Sequence, residues 1–387
     1  MILDNLPDRL DIDLNNNRSE QLTANFHPYF ASFSSEIPRF FLRRFTSEGD
    51  TVLDPFCGSG TTLLEAILSN RNAVGIDVNP LACLISKVRT TPIPKDELDY
   101  SSIILMKIRG EINRLYGQLT LTVDEPPEMQ IEIPDFLNRD YWFKPHVLKE
   151  LGIIKSRIDS IEHRNLKDLF KVAFSSIIVK VSNQQHETRY KRVDKRINQF
   201  DTYLHFEKKV QEMVSSMRIV NKLNEMGNCR VYNQDLRLAR LARDLNESVD
   251  LIVTSPPYLN AWDYHLYQRF RFYWLGFNPQ KLRDEEIGAH LTHCYIENSV
   301  QRYSSDMTLC LMHIYRMLKK SAYCCMVIGD ALVRGKRVDT GELITNIATK
   351  LGFEHRKTYN REIFGPHFSQ KRSINKKIEH IIILRKT

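Results

Sequence analysis

The stretch DTVLDPFCGSGTTLLEAILSNRNAVGIDVNP, residues 50–80, limits the fold more than any other part of the chain. It reads as a strand at Thr51–Leu53, a glycine-rich turn, a helix opening near Thr61, and a second strand, AVGID, ending at Asp77. That is a βαβ unit. Gly58 and Gly60 lack a Cβ, so the backbone can turn tightly and a ligand can come close. Free N–H groups at the helix start, near Thr61 and Thr62, suit a carboxylate or another anion. Asp77 follows the glycines by about 20 residues, the spacing at which an acid meets ribose hydroxyls in a dinucleotide fold. The turn is not G-x-G-x-x-G, because Leu63 takes the third glycine position, and it lacks the G-K-[ST] of a P-loop. An acid beside the turn, Asp54, favours a cationic ligand group over a phosphate. The expected ligand is a nucleoside-containing cofactor with an amine and a carboxylate.

The rest of the chain continues this pattern on both sides of a long interruption. Apolar residues at helical spacing, Ile37, Phe40, Phe41 and Phe45, predict a helix after Ser34 or Ser35. CRVYNQDL, SVDLIVTSPPY, AYCCMVIGD and IEHIIILRK read as strands, and TGELITNIATKLGF as a helix ending at a glycine cap. Strands alternating with helices predict a mostly parallel sheet. The expected organisation is an arm over 1–24, a first α/β part over 25–98, a mainly helical insertion over 99–227, and a second α/β part over 228–387. Within the insertion, residues 100–118 and the stretches WFKPHVLKELGIIKSRI and LKDLFKVAFSSIIVKVS read as helices, and the Pro- and acid-rich 120–135 as a linker.

Residues 249–264, VDLIVTSPPYLNAWDY, pose a second constraint. A buried strand ends at Thr254, and Ser255, Pro256, Pro257 and Tyr258 form its exit. Loops at such strand ends carry the active sites of open α/β sheets. The arrangement suits an exocyclic amine on a base. Its lone pair is delocalised into the ring and must be recovered before it can attack a methyl group. Acceptors aimed at its N–H protons favour that geometry and stabilise the developing charge. Ser255 Oγ and the Pro256 carbonyl are candidate acceptors, the latter aimed by two locked φ angles. Tyr258 is a candidate stacking partner. By itself S-P-P-Y is equally compatible with a proline-stiffened strand exit bearing a half-buried tyrosine.

Composition favours a polyanionic partner without proving one: the chain has 387 residues and a formal net charge of +8. Hydrophobic residues make up 42% and charged residues 26%, as in ordinary globular proteins. No apolar run approaches the roughly 18 residues of a membrane span, and the opening segment is not a secretory signal. The 7 Cys are scattered with no C-x-x-C pair, so no metal site is expected and a cytoplasmic setting is.

Taken together, these motifs resemble those of the S-adenosylmethionine-dependent amino-methyltransferases of DNA found in restriction–modification systems. DPFCGSGTT is similar to their F-x-G-x-G cofactor motif, GIDVNP to their acidic motif, NQDL to their third cofactor motif, and TSPPY to their catalytic motif. The resemblance implies a Rossmann-like class I methyltransferase sheet, α/β and mostly parallel with an antiparallel last strand, carrying a largely helical insertion. It implies S-adenosyl-L-methionine as cofactor, with contacts from His27, Pro28, Tyr29, Asp54, Pro55, Phe56, Cys57, Gly58, Ser59, Gly60, Thr61, Thr62, Asp77, Val78, Asn79, Asp235 and Leu236. It further implies double-stranded DNA as substrate, base flipping, and a cognate restriction endonuclease as partner, with the oligomeric state left open. Ser at position 255 is the form usual in cytosine-N4 enzymes, so N4 methylation is the expectation and adenine N6 the alternative. RNA methylation and non-catalytic DNA binding are more distant alternatives. Cytosine C5 chemistry needs a Pro-Cys nucleophile, and no Pro-Cys occurs. The motif order, with S-P-P-Y after the cofactor motifs and the insertion between the second and third of these, leaves the target-reading segment open.

Two basic stretches are candidates for gripping phosphates. One supplies Arg189, Lys191, Arg192, Lys195 and Arg196 around Tyr190, and reads equally as a solvated face. The other, residues 364–377, supplies Lys371 and Arg372. In WDYHLYQRFRFYWLG, residues 262–276, most aromatics are expected in the core, with Asp263, Tyr264 and Arg269 reaching the pocket.

Overall fold

The computed structural model describes residues 6–7, 22–30, 34–117, 131–223, 226–238, 241–260, 262–289, 298–363 and 377–387. Most of the 1–24 arm, residues 120–130 of the linker, and Lys371 and Arg372 lie outside them. The main sheet contains β1 (Thr51–Asp54), β2 (Asn72–Asp77), β5 (Cys229–Asn233), β6 (Val249–Thr254), β7 (Leu318–Gly329), β10 (Phe353–Ile363) and β11 (Lys377–Lys386). Their spatial order is β10-β11-β7-β6-β1-β2-β5. The pairs joining β5, β2, β1, β6 and β7 are parallel, whereas β11 is antiparallel to both β7 and β10. This is the expected class I sheet with its antiparallel last strand. The order reverses at β1, so β1 and its outer neighbour β6 end at a topological switch point, where open α/β sheets bind ligands.

Period-two alternation decides which face each strand residue covers. Val52, Leu251, Val253, Cys325, Val327, Ile381 and Ile383 pack against α1 (Glu36–Phe45) and α2 (Thr61–Leu68). Leu53, Ile252, Cys324, Met326, Ile328, Ile382 and Leu384 pack on the other face against α9 (Ser299–Met317) and α10 (Thr340–Lys350). The strand β10 escapes sequence reading because FEHRKTYNREI has no apolar alternation. It lies at the sheet edge and is held by its ladder to β11.

Between β2 and β5 the chain passes through α3 (Pro80–Thr90), α4 (Lys95–Leu115), α5 (Pro145–Asp159), α6 (Arg164–Val181), the hairpin β3 (Gln184–His186) and β4 (Arg189–Arg192), and α7 (Asp201–Val220). These helices share one apolar core with Phe26 and with α8 (Arg269–Leu275), which follows the S-P-P-Y loop. Leu81 and Ile85 of α3, Phe174 of α6, Phe206 of α7 and Trp274 of α8 all sit in it. The interrupting segment is therefore packed onto the element that follows the S-P-P-Y loop. Among the described residues no helix is long and apolar enough to cross a membrane, and the six described cysteines are unbonded.

Candidate active site

A cavity of about 350 Å³ opens at the C-terminal ends of β1, β2, β5 and β6. Its wall brings together the glycine-rich turn, Asp77, the segment after β5 and the S-P-P-Y loop. The glycine-rich turn is fixed first. Gly60 caps α2 in the left-handed region at φ +82°, and a Cβ there would lie 2.7 Å from Ser86 Oγ. Only glycine meets both demands. Asp77 then ties the turn to β2, its Oδ2 accepting from Gly58 N at 2.8 Å and its Oδ1 from Asn79 N at 2.8 Å. Burial pushes its carboxyl up to about 6, against those backbone hydrogen bonds.

The other expected cofactor residues divide. Tyr29, Pro55, Phe56, Cys57, Gly58, Ser59, Thr61, Val78, Asn79, Asp235 and Leu236 line the cavity. His27, Pro28, Asp54, Gly60 and Thr62 do not. His27 is buried against α6 with Nε2 3.0 Å from Ser175 Oγ, and Pro28 is exposed. Asp54 lies under the turn, accepting from Thr254 Oγ1 at 2.6 Å and Phe56 N at 3.2 Å. Its burial raises the carboxyl to about 7, so it works as a clasp between the ends of β1 and β6. Thr62 Oγ1 donates to Val253 O at 3.1 Å, joining α2 to β6. Asp235 reaches the cavity, but both its oxygens are taken by Arg237, with Nε at 3.0 Å from Oδ1 and Nη2 at 2.7 Å from Oδ2. Arg237 fixes the direction of the Asp235 carboxylate, whose remaining lone pairs stay able to accept at the cavity wall. Cys57 is buried, and the neighbouring Cys83 thiol and burial both push its own thiol up, which fits a packing role.

At the other end Ser255, Pro256, Pro257 and Tyr258 all line the cavity. Ser255 Oγ donates towards the Val327 carbonyl at 3.1 Å and Tyr258 Oη at 3.3 Å, and because the Tyr258 proton goes to Glu379, the Ser255 lone pairs remain. The Pro257 carbonyl accepts from Tyr303 Oη at 2.8 Å. Among the described residues no hydrogen bond uses the Pro256 carbonyl. Tyr258 Oη donates to Glu379 Oε1 at 3.0 Å, and the other Glu379 oxygen is paired with Arg361. Burial and the Glu379 charge both push the phenol up, so the hydroxyl stays protonated. Its ring lies on Gly329, where a Cβ would come within 3.0 Å of Tyr258 Cε2. Glu379 and Arg361 are cavity residues that sequence reading missed. Both sit on the antiparallel strands more than 100 residues beyond the loop they hold, and no local motif marks them.

Tyr264 also reaches the cavity, stacked with Tyr29 at 5.6 Å between ring centroids. Trp262, Glu285, Glu286 and Ile287 join it there without having been singled out for the pocket. Asp263 is buried outside the lining. Arg269 turns away, its guanidinium 3.7 Å from the Tyr190 ring centroid. The basic run around Tyr190 is mixed. Arg189, Lys191 and Arg196 are exposed, Arg192 lies over Tyr141 at 4.5 Å, and Lys195 Nζ donates to the Val179 carbonyl at 2.7 Å.

The strand order is that of the class I methyltransferase fold, and the crevice lies where such sheets bind ligands. Within that class the chain is similar to DNA amino-methyltransferases of restriction–modification type. A family model described as DNA methylase matches residues 10–88. The Type II methyltransferase M.MvaI of Kocuria varians is 24% identical over 94% of this chain and 89% of its own length. M.MjaII of Methanocaldococcus jannaschii is 22% identical over 79% of this chain and 71% of its own. A Thermus thermophilus structure described as a putative DNA modification methylase complexed with S-adenosyl-L-methionine is 21% identical, covers 39% of this chain and 51% of that one, and gives a TM-score of 0.26. A SAM-dependent methyltransferase structure from Methanosarcina mazei is 13% identical, covers 89% and 96% respectively, and gives 0.33. Those two scores add nothing to what the strand order already says.

Proposed function

We propose that the chain methylates the exocyclic N4 amine of cytosine in duplex DNA, acting on a base turned out of the helix. The observation that carries this reading is the pair of unspent acceptors, Ser255 Oγ and the Pro256 carbonyl, at one end of a cavity whose other end is a glycine-rich cofactor turn. The turn, the Asp77 carboxylate and the Tyr29–Tyr264 pair fit a cofactor with a nucleoside and an amino-acid tail. When bound, S-adenosyl-L-methionine supplies an electrophilic methyl group on sulfur. Asp77 accepts hydrogen bonds from the ribose hydroxyls, and Val78, Phe56 and Leu236 offer apolar surface to the adenine.

At the catalytic end, Tyr258 presents a ring whose plane is fixed at one edge by Gly329 and at its hydroxyl by Glu379. A base stacked on it brings its amine to Ser255 and Pro256. Those acceptors would localise the nitrogen lone pair and stabilise the positive charge that develops before the amine proton passes to water. Holding the amine in line with the methyl group supplies much of the acceleration. Adenine N6 is the second reading, because the same two acceptors serve either amine. Ser at position 255 supports cytosine through its likeness to the cytosine-N4 motif. The helical unit between β2 and β5 is the proposed target-reading region, with a cognate nuclease as partner. Incubating the chain with cofactor and duplex DNA, then digesting the DNA for mass spectrometry, should yield N4-methylcytosine. N6-methyladenine alone would move the assignment to the sister activity, and no methylated base would overturn both.

A further inference from the structure

We propose that the small hairpin after β7 is a DNA wedge that acts beside the target base; the proposal rests on the DNA-methylation reading above. The hairpin consists of β8 (Ala331–Val333) and β9 (Lys336–Val338), joined by Arg334 and Gly335, both at positive φ. Such two-residue turns give a tight, rigid tip. Both feet of the hairpin stand on the catalytic loop's support. Its first strand leaves Gly329, the residue under the Tyr258 ring, after one residue. On the far side Thr340 Oγ1 donates to the Gly329 carbonyl at 2.7 Å. Asn260, two residues past Tyr258, donates to the Leu332 carbonyl at 2.6 Å. An ion pair between Arg337 and Asp330 closes the base of the hairpin.

Side chains then alternate. Ala331 and Val333 are buried in the core beneath, whereas Leu332 between them is 59% exposed. Arg334, Lys336 and Arg337 are exposed around it. An apolar side chain standing out among cations, on a rigid finger tied to the base-holding loop, matches what a base-flipping enzyme requires. Turning a base out leaves a gap in the stack, and an inserted apolar side chain compensates lost stacking while cations bind the flanking phosphates. Leu332 is assigned to the stack and Lys336 to a phosphate.

The test uses the full chain and a duplex bearing its own site, read from sequencing DNA of a host that expresses it. Leu332→Ala should lower kcat/KM about tenfold on the paired duplex. On a duplex with an abasic position opposite the target, where unpairing is already made, the variant should come within about twofold of wild type. Equal loss on both duplexes, or loss on neither, would overturn the wedge. Lys336→Ala should reduce the slope of log affinity against log salt by about 1, with cofactor-analogue binding unchanged; an unchanged slope would remove the phosphate contact. A wild-type chain that neither binds nor methylates duplex DNA would instead sink the underlying reading, and the hairpin proposal with it.

Discussion

The two ends of the cavity are built in opposite ways. The glycine-rich turn and its acid are local. Gly58, Gly60, Asp77 and Asn79 lie within one βαβ unit and are tied by backbone N–H groups, Gly58 N and Asn79 N both reaching Asp77. The target end is assembled from afar. Ser255 is tied to Val327, Pro257 to Tyr303 and Tyr258 to Glu379, with 46 to 121 residues between partners. The lesson is that a short sequence can encode a glycine-rich turn, whereas holding the S-P-P-Y loop needs side chains from several strands. The difference also separates the functions, so that damage at one end should leave the other readable.

The largest test of that separation is Tyr258→Ala. It should lower methyl transfer by about 10²-fold through lost stacking, while cofactor affinity measured by calorimetry stays within about twofold. A parallel loss of cofactor binding would break the comparison. Next in size, Asp77→Ala should weaken cofactor binding by about 30-fold, the scale of hydrogen bonds to a charged group. Single-turnover transfer at saturating cofactor should fall much less. Glu379→Ala should cost about tenfold in kcat by freeing the Tyr258 hydroxyl, with cofactor binding unaltered. Glu379→Gln, which keeps a carbonyl acceptor, should recover part of that loss.

The smallest effect sharpens the cofactor end alone. Asp77 titrates at about 6 in the folded chain, so its charged, fully accepting form prevails above that pH and is lost as pH falls through it. Cofactor affinity should decline severalfold between about pH 7.5 and 5, and Asp77→Asn should flatten the profile. An unchanged profile in that variant would assign the pH response to another group. Asp54, with its carboxyl at about 7, is the control, because it lies outside the lining and should affect stability instead. Its folded value is raised above the unfolded one, so its contribution to stability is greatest at low pH and is lost as pH rises towards about 7.

Much of this was legible beforehand because it is local. The βαβ unit, a mostly parallel sheet and most of its flanking helices follow from periodicity, turn residues and caps, and the antiparallel last strand from the resemblance. What escaped did so for physical reasons. The edge strand β10 has no apolar alternation, because its pairing is decided by β11. Asp235 does line the cavity, but its pairing with Arg237, two residues on, was not foreseen. His27, which the resemblance placed at the cofactor, instead meets Ser175, 148 residues away. Arg269 was expected in the pocket and lies instead over Tyr190 of the β4 strand.

By itself the sequence determined the cofactor turn, the acid that follows it and the proline-stiffened exit of β6, since each is a backbone conformation that only certain residues permit. Tertiary structure alone decided how that exit is used. Folding places Val327 to take the Ser255 proton, Tyr303 to clamp the Pro257 carbonyl, and Glu379 with Arg361 to hold the Tyr258 ring. These are long-range side-chain contacts, fixed by the order in which seven strands lie side by side, and strand order is not written in any single stretch of chain.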